Sequence, residues 1–204
     1  MKFDILIDRV KAIQTGEATG HDWYHTYRVA GMSRQIGEME DCNMDIVLAA
    51  AYLHDVADHK FGYTKESRGE LLRQLMTEAE FPEDLQEDVL EVVESISFSE
   101  GVLCSERLQK ESDVVKDADR LDALGAIGIA RTFAYGGKVG RPIYDPMDPA
   151  NSLQHFDDKL LLLKDGMRTE AGKRLAQAST EVLSPCTPIP TFTLGSSESM
   201  SSCM

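Results

Sequence analysis

The dipeptide His54-Asp55 constrains this chain more than any other feature. It closes an apolar run, Ile46 to Leu53, that reads as a buried helix. A carboxylate carried into an apolar interior costs on the order of several kcal/mol, or takes up a proton, unless its charge is compensated. A divalent metal is the strongest compensator available. Asp58 and His59 follow within one turn. The dipeptide alone fits a capped helix end with an ordinary ion pair equally well, so the reading depends on the rest of the chain.

The composition narrows the function classes. Net charge is −14, from 35 acidic and 21 basic residues. That argues against wrapping DNA or RNA, which requires a basic surface. It does not exclude a small anionic substrate, which responds to the local field of a cleft. Cys42, Cys104, Cys186 and Cys203 are far apart and form no C-x-x-C pair, so neither a disulfide framework nor a cysteine zinc site is expected. The first residues lack the apolar core of a signal peptide. No apolar stretch reaches the ~18 residues that would span a bilayer. The expectation is one soluble, cytoplasmic domain, with no nucleic-acid or membrane partner.

Helical spacing dominates the chain and no run of strands stands out. Phe3, Leu6, Ile7, Val10 and Ile13 outline a first amphipathic helix. Asp22 is placed to cap a second, on which His25, Val29 and Met32 share a face. A histidine on an apolar face is more often a satisfied core residue than a ligand, so His25 requires corroboration. Further helices are expected over Asp45–His54, Thr64–Thr77, from Pro82 through Ile96, over Asp157–Lys164 and from Thr169 to Ala178. Ser112 to Arg131 reads as one helical pattern, heavily apolar yet carrying Asp117, Asp119 and Asp122. Asp119 lies among Val115, Ala118 and Ala123, which points a carboxylate at the interior. Gly136 to Pro142 reads as a flexible basic loop. From Ser179 to Met204 there is no Lys or Arg and only two acids. That Ser/Thr/Pro-rich composition buries little, so the expected layout is a domain over 1–178 and a disordered tail over 179–204.

His25, His54, Asp55 and Asp119 stand together as two imidazoles and two carboxylates, a set suited to Mn²⁺, Fe²⁺, Mg²⁺ or Zn²⁺. This H…HD…D arrangement resembles the HD-domain superfamily of metal-dependent phosphohydrolases. The stretches Gly20–His25, Leu53–Asp58, Asp117–Ala123, Thr132–Gly137 and Gly140–Pro146 resemble a bacterial branch that includes nucleoside triphosphate pyrophosphohydrolases. The likeness covers about Lys2 to Ala176. It implies an all-α, single-domain helical bundle with one metal, manganese first, held by His25, His54, Asp55 and Asp119. Gly62-Tyr63-Thr64 departs from the Gly-Tyr-Pro element of cyclic-dinucleotide phosphodiesterases. His59 after Asp58 departs from the acidic pair of alarmone hydrolases. Residues from Ser179 onward lack the branch's C-terminal amphipathic helix.

The implied reaction is hydrolysis of a nucleotide phosphoanhydride. Asp58, three residues past Asp55, is the expected water-orienting base or proton shuttle. Lys60, Arg120, Lys138, Arg141 and His21 are the candidate phosphate-binding groups. Lys138 and Arg141 on a glycine-flexible loop suit a long anionic tail, which favours triphosphates over monophosphates. A 5′-nucleotidase or other phosphomonoesterase is the alternative. A non-catalytic metal-binding sensor or interaction domain is the alternative of another class.

Overall fold

The computed structural model describes residues 1–15, 22–57, 63–97, 104–148 and 150–183. Among these residues there are nine α-helices and no strand. They are α1 (Phe3–Gln14), α2 (Trp23–Met39), α3 (Met44–Leu53), α4 (Lys65–Glu78), α5 (Glu83–Ser97), α6 (Gln109–Asp122), α7 (Gly125–Lys138), α8 (Gln154–Asp158) and α9 (Glu170–Leu183). The all-α expectation is met. No helix among the described residues is long and apolar enough to cross a membrane.

α3 is the axis of the bundle. Every residue from Ile46 to Leu53 is buried, so the helix has no polar face to turn to water. Ala49, Ala50 and Ala51 are fully covered, and their small side chains let neighbouring helices approach. α2 packs along both α3 and α6. α5 closes the other side of α3, α1 covers its flank, and α4 packs on α1 and α5. The α2–α3–α6 contact carries the chemistry, because each of the three helices brings a buried polar side chain to it.

Capping sets where these helices begin. Asp22 accepts from the His25 amide at 2.9 Å and starts α2. Asn43 accepts from the Asp45 amide at 3.1 Å and starts α3. Thr64 and Ser67 form a reciprocal capping box on α4.

Four expectations are corrected. The Ser112–Arg131 pattern is two helices, broken after Asp122, with Gly125 at φ 67° in the left-handed region that favours glycine. Gly136, Gly137 and Lys138, read as a loop, are the last turn of α7. Asp157–Lys164 is split between the short α8 and a 3₁₀ stretch, Leu160–Gly166. The last helix, expected from Thr169 to Ala178, runs Glu170–Leu183. Residues 184–204 lie outside the described residues.

Candidate metal centre

His25 lies in the first turn of α2, where the Asp22 cap fixes the helix start, and is 1% exposed. Its Nδ1 meets Asp122 Oδ2 at 2.7 Å, which turns Nε2 toward α3. His54 ends α3 and is 2% exposed. Its Nδ1–H donates to the Ala51 carbonyl at 2.7 Å, so its Nε2 also faces inward. The turn after His54 is tied from α4. Buried Arg68 donates to the His54 carbonyl at 2.6 Å and to the Val56 carbonyl at 3.1 Å.

His25 Nε2, His54 Nε2 and Asp119 Oδ1 form one close group, and Asp55 Oδ2 lies against both imidazole nitrogens. His25 Nε2 lies 3.4 Å from His54 Nε2, 3.2 Å from Asp55 Oδ2 and 3.4 Å from Asp119 Oδ1. His54 Nε2 lies 3.4 Å from Asp55 Oδ2 and 3.9 Å from Asp119 Oδ1. Donors sit about 2.0–2.2 Å from a small divalent ion, so adjacent ligands are separated by roughly 3 Å. The cluster is set close to that spacing, and its nitrogen and oxygen donors fit an ion of intermediate hardness. Asp119 is 42% exposed at its side chain, against 12% for Asp55. The site therefore opens to solvent on the α6 side.

The electrostatics show how strongly this cluster demands positive charge. Burial disfavours an imidazolium at His25, but hydrogen bonds to Asp119, Asp122 and Asp55 outweigh it and raise its pKa to about 11. His54 moves the same way: burial opposes, and the charge of Asp55 is the largest opposing influence. Burial pushes Asp119 up, yet its contacts with the two imidazoles hold it below the ordinary carboxylate range. Asp122 is also held low: burial works against it, and hydrogen bonds from His25 and Arg28 prevail.

Of the residues singled out from sequence, His25, His54, Asp55 and Asp119 are brought together. Asp58, Lys60 and His21 lie outside the described residues. Arg120 turns elsewhere, donating to the Gly166 carbonyl at 3.1 Å with Asp117 at 3.5 Å. Arg141 lies over the Tyr135 ring, 5.9 Å from its centroid. Lys138 is exposed at the end of α7. Asp117, one of the three acids of the Ser112–Arg131 pattern, is fully buried and accepts from the amides of Arg168 and Thr169, anchoring the start of α9. Sequence reasoning gave no role to Asp122, Arg28 or Arg131, which form the shell behind His25. Two of them carried a signal. Arg28 follows His25 by one helical turn and Asp122 follows Asp119 by one turn, so each pair shares a face.

The HD domain family matches residues 22–124, a span that contains all four converging residues. The uncharacterized protein YpgQ of Bacillus subtilis is 41% identical over 170 residues, 82% of each chain. The crystal structure of YpgQ in complex with ADP superposes with a TM-score of 0.74. That longer alignment covers 89% of each chain at 34% identity. An HD-superfamily hydrolase of Bacillus thuringiensis is similar at 41% identity and a TM-score of 0.75, covering 89% of this chain and 90% of that one. Fold, donor set and relatives agree: the chain belongs to the HD-domain superfamily of metal-dependent phosphohydrolases.

Proposed function

We propose that this protein is a nucleoside triphosphate pyrophosphohydrolase that releases a monophosphate and pyrophosphate. The observation that carries the reading is the close group of His25 Nε2, His54 Nε2 and Asp119 Oδ1, open to solvent at Asp119, with Asp55 Oδ2 against both imidazoles. These four residues would hold a divalent ion, Mn²⁺ first. Such an ion lowers the pKa of a bound water and polarises a phosphoryl oxygen. Asp55 and Asp119 balance its charge, and the two imidazoles present lone pairs without adding charge. Asp58 orients the attacking water and accepts its proton. Lys60, Lys138, Arg141 and His21 bind the phosphates beyond the one attacked. Arg120 is the weakest of this group, because its guanidinium is engaged by Gly166 and Asp117.

YpgQ was crystallised with ADP, a nucleotide containing an α–β phosphoanhydride, and its likeness to this chain supports a nucleotide substrate. The test is a panel of nucleoside tri-, di- and monophosphates with Mn²⁺, reading phosphate and pyrophosphate separately. Equal amounts of monophosphate and pyrophosphate from triphosphates are expected. Phosphate as the sole product, or turnover confined to monophosphates, rejects the assignment in favour of a phosphomonoesterase. No turnover by metal-loaded protein favours a non-catalytic domain.

A further inference from the structure

An imidazole acts as a metal ligand through one nitrogen only if its neutral proton resides on the other. His54 meets this condition through the main chain, since its Nδ1 faces the Ala51 carbonyl at 2.7 Å. No side-chain substitution removes that acceptor. His25 meets it through a side chain. Its Nδ1 faces Asp122 Oδ2 at 2.7 Å, while Arg131 Nη1 lies 3.3 Å from the same nitrogen. A guanidinium has no acceptor, so it can pair with Nδ1 only in the wrong tautomer, with the proton on Nε2. The shorter, charge-assisted contact is the one to Asp122, and it puts the proton on Nδ1.

Asp122, on α6, is itself held from two other helices. Its side chain is 2% exposed. Arg28 of α2 donates Nε to Oδ1 at 2.6 Å and Nη2 to Oδ2 at 3.0 Å. Arg131 of α7 donates Nη1 to Oδ2 at 2.6 Å. Two cations on one carboxylate fix both oxygens and keep them ionised. Arg131 is thereby drawn away from the His25 nitrogen it would otherwise pair with.

We propose that Asp122 is a positioning residue that sets His25 as an Nε2 ligand, and that Arg28 and Arg131 hold Asp122 to that task. This rests on the metal-site reading above. A competing account makes the Arg28–Asp122–Arg131 group a structural tie between α2, α6 and α7, with no influence on the imidazole.

The two accounts separate in the full chain with Zn²⁺ as a diamagnetic probe. Zinc affinity is measured by competition with a chromophoric chelator, ring protonation by ¹⁵N NMR of the histidines, and folding by circular dichroism. Asp122→Asn is expected to keep its helical signal and weaken zinc binding by about 10–100-fold. His25 should lose its single Nδ1–H, Nε2-bound pattern while His54 keeps its own. Arg28→Gln, which leaves the charged carboxylate in place, should lose less. Wild-type affinity with a wild-type His25 pattern in Asp122→Asn overturns the proposal, even if the melting temperature falls. If Asp122→Asn does not fold, Arg28→Gln and Arg131→Gln decide, and unchanged zinc affinity in both overturns it. A wild-type chain that binds no zinc overturns the metal-site reading and this proposal together. Wild-type binding with indifferent variants overturns this proposal alone.

Discussion

The Nε2 atoms of His25 and His54 face one another across 3.4 Å, with the two rings inclined at 62°. Each ring has its Nδ1 committed elsewhere, to Asp122 and to the Ala51 carbonyl. Two lone pairs directed at the same point, beside the oxygens of Asp55 and Asp119, repel unless a cation or proton lies between them. Replacing any one of the four with alanine should therefore lower metal content and activity together. Elemental analysis of each purified variant checks this. Asp119→Ala should lose the least stability, because its side chain is the most exposed of the four. Full metal occupancy in Asp119→Ala would remove that residue from the set.

The same cluster makes metal binding a proton exchange. His25 titrates near 11 rather than its ordinary 6.5 in the metal-free protein, so at pH 8 it carries a proton that a metal must displace. Calorimetry in buffers of different ionisation enthalpy should show about one proton released per ion from this residue. The sign for stability follows. A raised imidazole pKa contributes fully below about 6.5 and loses its contribution as pH rises toward about 11. The chelator-treated protein should thus become easier to unfold by urea across that interval. A flat profile would contradict the geometry around Nε2.

Asp58→Asn preserves shape and removes the carboxylate proposed as proton acceptor. It should lower kcat by roughly 10²–10⁴ while the metal stays bound. Single-turnover kinetics on the metal-loaded variant measure this, and an unchanged kcat would remove Asp58 from the proposed reaction.

Arg68 tethers the turn that carries the His54-Asp55 pair. Arg68→Met keeps the aliphatic stem but takes the guanidinium donor from the buried His54 and Val56 carbonyls. A loss of about 1–3 kcal/mol is expected from urea denaturation. Metal affinity should fall with it, because the tether sits directly on a ligand's backbone.

Gly128→Ala tests the joint between α6 and α7. A Cβ at this position would overlap the Ala123 carbonyl, which belongs to the backbone and cannot rotate aside. Overpacking of this kind costs about 1–3 kcal/mol, measurable as a lower denaturation midpoint. The strain also reaches the site, since the displaced α7 carries Arg131 to Asp122.

Much of this molecule follows from one-dimensional pattern. The apolar run from Ile46 to Leu53 reads as an interior helix, and the His54-Asp55 pair at its end calls for a compensating charge. His25 and Asp119 joined it through the resemblance to the HD-domain superfamily, and two imidazoles with two carboxylates suit a divalent ion. Asp22 marked the start of α2 because a short acceptor before an apolar stripe caps orphan amides. What the tertiary structure alone decided is what the two acids flanking Asp119 do. Asp117, Asp119 and Asp122 look alike along the chain. Folding sends Asp117 to the start of α9, Asp119 to the metal centre and Asp122 behind His25. Helical period tells which residues share a face but not what another helix brings to it, and Asp122 meets a histidine 97 residues away. The break after Asp122 was hidden for a similar reason: glycine and alanine continue an apolar stripe whether or not the backbone turns. Only the packing of α7 against α6 and α9 makes the left-handed Gly125 necessary.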